Sequence, residues 1–270
     1  MTNRMIGIEV EFKGTEAQRD MVASYMTQHG VPCFVERYNH NTRGHWKIVT
    51  DVSAQWELVS PPMAGQEAKN QIKVACEALA AARAKIDKSC GLHIHHDASD
   101  FTVETFKRLY AMYVRFEDAL DTLMPESRRD NNNRYCQGFK HIQQYILDSL
   151  RNCNTVTDIL MIFSSRYIKL NCQSYQRHGT IEFRQHSGTV EFDKIWNWFV
   201  LTQTMVETAV SSKVTIPKQA SKMSQKWFDF KKVIKGYTWM GATDELQGAI
   251  EFYNKRRKEL AKKLGIELAA

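Results

Sequence analysis

Apolar and polar side chains alternate most regularly in four short runs: Ile8-Glu9-Val10-Glu11-Phe12, Trp56-Glu57-Leu58-Val59, Leu92-His93-Ile94-His95 and Ile181-Glu182-Phe183-Arg184. Successive side chains of an extended chain point to opposite faces, so each run predicts a strand with one apolar and one polar face. The polar faces carry carboxylates, imidazoles and a guanidinium where Ser, Thr or Lys would be ordinary. Four such faces are expected to line one concave surface.

Further strands are expected at 32–38 and 45–50, joined as a hairpin through a polar turn at 39–44. A second hairpin is expected between 166–175 and 180–186 across 176–179. Helical spacing predicts a helix from a Thr15 cap to Gly30 and an alanine-rich one over 64–88. Another is expected at 102–123, with Val103, Phe106, Leu109, Tyr110, Tyr113 and Phe116 on one buried face. Shorter helices are expected at 140–151, 157–163 and 224–235, and longer ones at 192–211 and 244–264. Residues 124–138, reading MPESRRDNNNRYCQG, form a polar loop long enough to suggest function or disorder. Hairpins alternating with helices predict an α+β fold with a largely antiparallel sheet, not a doubly wound one.

Composition narrows the classes. With 270 residues and 43% hydrophobic content, the chain suits one large domain or two small ones. No apolar run approaches the length of a membrane-spanning helix. The opening MTNRMIGIEVEF lacks a signal-peptide stretch, so a cytoplasmic location is expected. Cys33, Cys76, Cys90, Cys136, Cys153 and Cys172 form no CxxC, which favours reduced thiols over disulfides or a zinc ribbon.

The net charge of +7 is unevenly spread: residues 211–270 hold 13 Lys+Arg against 6 Asp+Glu, and residues 1–210 hold 24 of each. This suggests a catalytic domain over 1–211 and a basic helical extension over 212–270, packed on it or tethered to it. The extension reads as a solvated surface or as an approach for an acidic partner or nucleic acid. Trp227, Phe228, Phe230, Tyr237 and Trp239 interleave there with Lys226, Lys231, Lys232 and Lys235. That pattern fits either a stacking platform or an ordinary core-facing helix, and the helix is favoured.

Glu9 and Glu11 on one strand face repel unless a cation lies between them. Hard oxygen ligands favour Mg²⁺, Mn²⁺ or Ca²⁺ over zinc. His93 and His95 read as ligands or as satisfied residues at a strand end, and HxH also opens the site of several zinc hydrolases. There is no HExxH, no GxxxxGK[ST] and no GxGxxG. If ATP is used, its phosphates must be held by metals and arginines, from among Arg184, Arg166, Arg128, Arg129 and Arg134. A nucleophilic Cys136 or Cys90 is disfavoured, because the sequence offers neither base nor oxyanion hole.

Taken together, GIEVEF, TDVSAQWELVSPP, CGLHIHHD, PESRRDNNNRYC, RYIKLN and GTIEFRQHSGT resemble, in that order, the amidoligase family of the carboxylate–amine ligase superfamily. That group is related to glutamine synthetase and glutamate–cysteine ligase. The resemblance implies a glutamine-synthetase-like fold whose curved antiparallel sheet floors the site. It also implies an ATP- and Mg²⁺-dependent ligase (Mn²⁺ as an alternative) joining a carboxylate to an amine through an acyl phosphate. By motif, Glu9, Glu11, Glu57, His93 and Glu182 correspond to metal ligands, with Glu57 and Glu182 also catalytic. Arg184 corresponds to the phosphoryl clamp, and His93, His95, Arg166, Arg128 and Arg134 to nucleotide or substrate contacts. The partners implied are a carboxylate and an amine acceptor, which could be a peptide or protein, and relatives often form homo-oligomers. The chain departs from the family's Asp-Gly-Ser run, having Val52 between Asp51 and Ser53. The alternatives are a metal-dependent hydrolase using His93 and His95, and a basic nucleic-acid-binding protein.

Overall fold

The computed structural model describes residues 3–211, 215–216, 218–219, 227–235 and 243–265. The chain divides into two compact units, Met1–Asp97 with His186–Trp198 and Ala98–Gln185 with Phe199–Ala270.

The first unit contains β1 (Ile6–Phe12), α1 (Glu16–Gln28), β2 (Cys33–Val35), β3 (Trp46–Asp51), β4 (Gln55–Val59), α2 (Gly65–Ala81) and β5 (Gly91–Asp97). Its strands lie in the order β2-β3-β4-β1-β5. β1 pairs antiparallel with both β4 and β5, and β3 pairs antiparallel with β4. The inward-facing Ile8, Val10, Phe12, Ile48, Leu58, Leu92 and Ile94 are fully buried, as are Val22, Met26, Ile72 and Leu79 of α1 and α2. Each such side chain stabilises the fold by about 1.5–3 kcal/mol. Thr15 starts α1 through a reciprocal cap: its hydroxyl accepts the Gln18 N–H, and Gln18 Oε1 accepts the Thr15 N–H. Gly30, at φ 80°, takes the left-handed turn that ends the helix.

Two expectations fail here. The segments 32–38 and 45–50 do not form a hairpin, because β2 and β3 pair parallel, Cys33 opposite Trp46 and Val35 opposite Ile48. The polar connection loops back instead of turning tightly. Glu36 binds Arg43 and His45, while the buried Lys47 ammonium donates to Asn39 and Asn41. The alanine-rich helix also stops at Ala81, short of the expected Lys88. Arg83 adopts φ 53°, and Lys85 exchanges two backbone hydrogen bonds with Lys13 at 2.9 Å.

The second unit is built on α3 (Val103–Asp121), capped by Thr102. Its apolar stripe is buried as expected except for Val103, which is half-buried: Tyr110 stacks on Phe163 with centroids 3.7 Å apart, and Phe116 meets Phe230 at 5.4 Å. α4 (Gln143–Asn152) and α5 (Val156–Ile162) follow, α4 led in by a single 3-10 turn at Lys140–Ile142. β6 (Leu170–Asn171) pairs antiparallel with β7 (Thr180–Ser187), Asn171 opposite Glu182. The second expected hairpin is therefore right in pairing and wrong in form. β6 has two residues, and α6 (Gln173–His178) fills the intended strand and turn. Asn171 Oδ1 accepts the Gln173 N–H at 2.8 Å and ends the extended run.

After α7 (Phe192–Val210) come α8 (Trp227–Lys235) and α9 (Thr243–Leu264). α9 is tied to α3, with Arg256 Nε donating to Leu123 O at 2.9 Å and Arg257 Nε to Thr122 Oγ1 at 2.7 Å. Trp227, Phe230 and Ile234 are buried, and Phe228 is exposed under Lys232. Lys226, Tyr237 and Trp239 lie outside the described residues. Among the described residues no helix is long and apolar enough to cross a membrane. The architecture is α+β with a mostly antiparallel sheet.

Candidate functional site

In the first unit the strand register gathers the alternating polar residues. Glu9 lies opposite His93, Glu11 opposite Glu57, and Gly7 opposite His95. Directly paired residues share a face, so β1, β4 and β5 deliver these side chains together. His93 is central. Its Nδ1 donates to Glu9 Oε2 at 2.9 Å and lies 4.0 Å from Glu57 Oε1, while its Nε2 is 3.6 Å from Glu11 Oε1. His95 Nε2 is 3.4 Å from Glu9 Oε1. Glu11 Oε2 accepts the Gly91 N–H at 2.6 Å.

Burial pushes the Glu9 carboxyl up, but the charge of His95 and hydrogen bonds from His93 and His95 outweigh it and hold Glu9 well below the usual carboxylate range. His96 is fully buried on the opposite face, as alternation requires.

Two sets of ligand atoms here lie within 4.8 Å of one another: Glu9, Glu57 and His93, and Glu11, Asp51 and Glu57. Glu57 belongs to both. Carboxylate oxygens with one imidazole fit a hard or borderline divalent cation such as Mg²⁺ or Mn²⁺. Asp51 was not singled out as a ligand by its sequence. Its Oδ1 accepts from Ser53 N, Ser53 Oγ and Ala54 N, each at 2.7 Å, so the turn closes without the family glycine and Val52 points to solvent. The Asp-x-Ser spacing was the available signal, since Asp readily bonds backbone two residues on.

In the second unit Glu182 and Arg184 project from one face of β7 and form an ion pair. The other Glu182 oxygen accepts from Asn171 Nδ2 at 2.6 Å. Because Asn171 Oδ1 already takes a backbone N–H, its amide can face Glu182 only with nitrogen. Arg128 is buried on a 3-10 turn. It converges with Arg184 on the buried Cys136, whose thiol burial pushes up while Arg128, Lys169 and Arg184 pull it down. The Cys136 thiol donates to Arg184 O at 3.4 Å. A buried thiol of this kind does not suit a nucleophile.

Of the other predicted arginines, Arg129 is half-buried with its Nε donating to Met124 O at 2.8 Å, and Arg134 and Arg166 are exposed. Arg134 stacks over Tyr135 at 4.7 Å and Arg166 over Tyr167 at 5.2 Å, and the two tyrosines meet edge to face at 5.4 Å. The sequence also gave no notice of a buried ionic cluster of Glu117, Asp121 and Lys169. The alternation Ile168-Lys169-Leu170-Asn171 was its only local sign.

Carboxylates and imidazoles gathered on one face of an antiparallel sheet define the donor set of a protein built to hold divalent cations. A family model described as "Putative amidoligase enzyme" matches residues 2–206, and the chain belongs to that family. No curated protein matches the chain. Among solved structures, a complex between the prokaryotic ubiquitin-like protein Pup and its ligase PafA is similar at 9% identity and a TM-score of 0.49, over 97% of this chain. The chain spans 64% of the length of that structure.

Proposed function

We propose that this protein is an ATP-dependent carboxylate–amine ligase. The observation that carries the reading is the first unit's cluster, in which Glu9, Glu11 and Glu57 surround His93 and Asp51 joins Glu11 and Glu57. Four carboxylates so close are best accounted for by bound cations. Mg²⁺ or Mn²⁺ held there would neutralise the triphosphate of a bound nucleotide.

In this reading Glu9, Glu11, Glu57 and His93 are cation ligands, Asp51 joins them, and His95 holds Glu9 in place. Glu182 is a further ligand, oriented by Asn171. A substrate carboxylate oxygen attacks the γ-phosphorus, and the bond to ADP breaks. Arg184, supported by Arg128, stabilises the charge on the transferring phosphoryl group. An amine then attacks the acyl carbon of the resulting acyl phosphate. Inorganic phosphate leaves, the amine loses a proton, and an amide remains. Arg134 and Arg166, each on a tyrosine face, are assigned to outer contacts with nucleotide or substrate. We assign residues 1–211 to the catalytic domain and 212–270 to a basic extension. Cytoplasmic location and a peptide or protein acceptor belong to the same proposal.

The test is a thermal melt with Mg²⁺ plus a non-hydrolysable ATP analogue, against EDTA and against zinc. Ligands that bind the native state raise the midpoint by mass action. A rise requiring both Mg²⁺ and nucleotide is expected, and Glu182→Gln should then abolish ADP release without unfolding the chain. A rise with zinc alone would overturn the ligase and favour a hydrolase using His93 and His95.

A further inference from the structure

Two buried carboxylates hold both ends of the segment 130–139. Asp121 Oδ2 accepts the Asp130 N–H and Glu117 Oε2 accepts the Phe139 N–H, each at 2.8 Å. Lys169 Nζ lies between them, 2.7 Å from Glu117 Oε1 and 2.6 Å from Asp121 Oδ1. Gln185, next to Arg184 in β7, donates to that same Asp121 oxygen at 2.6 Å and accepts from the Tyr113 hydroxyl. All five side chains are buried. Gly138 lets the loop come this close: a Cβ there would collide with the Glu117 carboxylate and lie 3.0 Å from both Asp130 O and Lys169 Nζ.

Inside the clamped segment the asparagines do the remaining work. Asn131 Oδ1 accepts the Gly138 N–H and Asn133 Oδ1 the Tyr135 N–H, both at 2.8 Å. Asn132 Nδ2 reaches back to Glu126 O at 3.0 Å. The segment is also zipped to the residues just before β6, with Gln137 N donating to Tyr167 O and Lys169 N to Gln137 O. Its Cys136 rests on the backbone of Arg184, and Arg128 lies two residues before the segment.

Buried ion clusters of this kind contribute little net stability compared with apolar packing. Here burial raises the carboxyl groups of both Glu117 and Asp121, so the charged state is harder to hold in the fold than in water. Both carboxylates end on hydrogen bonds that fix the loop or β7, and Lys169 bridges the two. Geometry, more than stability, is what this arrangement supplies.

We propose that Glu117, Asp121 and Lys169 are positioning residues, a clamp that holds segment 130–139 before any ligand arrives so that Arg128 and Arg184 face a phosphate-bearing ligand already in place. The clamp follows from the hydrogen bonds. That Arg128 and Arg184 meet a phosphate-bearing ligand rests on the ligase reading.

The experiment uses the full chain and three variants: Glu117→Gln, Glu117→Leu and Gly138→Ala. Gln keeps an acceptor for the Phe139 N–H, Leu removes it, and Ala keeps every charge while pushing the loop away. Amide hydrogen exchange over 130–139 is measured without nucleotide, and ADP release is measured against ATP concentration. Glu117→Leu and Gly138→Ala should accelerate exchange in 130–139 by about tenfold or more. They should lower kcat for ADP release by about tenfold while the KM for ATP stays within about threefold. Glu117→Gln keeps an acceptor for the Phe139 N–H but turns its amide NH2 toward Lys169, and should fall between the wild type and Glu117→Leu in both. The clamp is overturned if exchange in 130–139 is no faster than elsewhere, or if Gln fares no better than Leu. Should wild-type chain release no ADP, the ligase reading falls and the exchange data alone decide the clamp.

Discussion

Replacing Lys169 with Met tests the buried cluster most directly. The Lys169 ammonium lies 2.7 Å and 2.6 Å from two carboxylates and is itself fully buried. Methionine approximates its shape but leaves Glu117 and Asp121 facing each other without a counter-charge. Removing one side of a buried ion pair costs about 3–5 kcal/mol, a large fraction of the roughly 5–15 kcal/mol that stabilises a typical protein. The sign of the pH dependence is fixed. Burial already raises both carboxyl groups in the presence of Lys169, and without it they rise further. A carboxyl raised in the folded state contributes stability that is fully present below its unfolded value, near about 4. That contribution is lost as pH rises through the folded value, at up to about 1.4 kcal/mol per pH unit for each group. Lys169→Met should therefore be mildly destabilised near about pH 5 and severely near about pH 8. Urea unfolding of both proteins across that range measures it. A loss below about 1 kcal/mol near pH 8, or one independent of pH, would refute the reasoning.

Arg184→Ala should lower the chemical step by about 10²–10³-fold with nucleotide affinity changed only a few-fold; a fall in affinity alone would make Arg184 a ground-state contact. Thr15→Ala removes the α1 cap and should lower stability by about 1 kcal/mol in urea unfolding, an unchanged midpoint arguing that the Gln18 contacts suffice. Glu36 is pulled down to about 2, by Arg43 above all and then His45. A depressed carboxyl stabilises the fold above its ordinary value, so the stability gained from the 36–45 connection should disappear as pH falls from about 4 toward about 2. An NMR titration of Glu36 with a midpoint near about 4.3 would contradict this.

The alternation of Glu9 and Glu11, of His93 and His95, and of Glu182 and Arg184 was legible because period two is a local property of a strand. The antiparallel register then gathers residues whose faces the sequence had already fixed. Pairing direction was not legible. Residues 32–38 and 45–50 look like hairpin arms, but the intervening loop, held by Glu36 and Lys47, returns so that β2 and β3 pair parallel. The end of α2 was equally hidden, because alanine propensity favours continuation and the pairing of Lys85 with Lys13 overrides it. Among site residues, Asp51 was obscured by Val52, and Lys169 by its resemblance to an ordinary polar strand residue. Its partners come from a helix some fifty residues earlier, which no local pattern announces.

The six cysteines give the molecule a built-in reporter. All are buried, and burial pushes every thiol up, with Cys33, Cys76 and Cys172 each reaching about 12. Alkylating reagents attack thiolates, so the native chain should resist them until it opens. The rate at which each thiol is capped then becomes a local clock of opening, read by mass spectrometry without any introduced label. Cys136 lies between Asp130 and Phe139, so its clock would time the loop, while Cys33 and Cys76 would time the sheet and helices of the first unit.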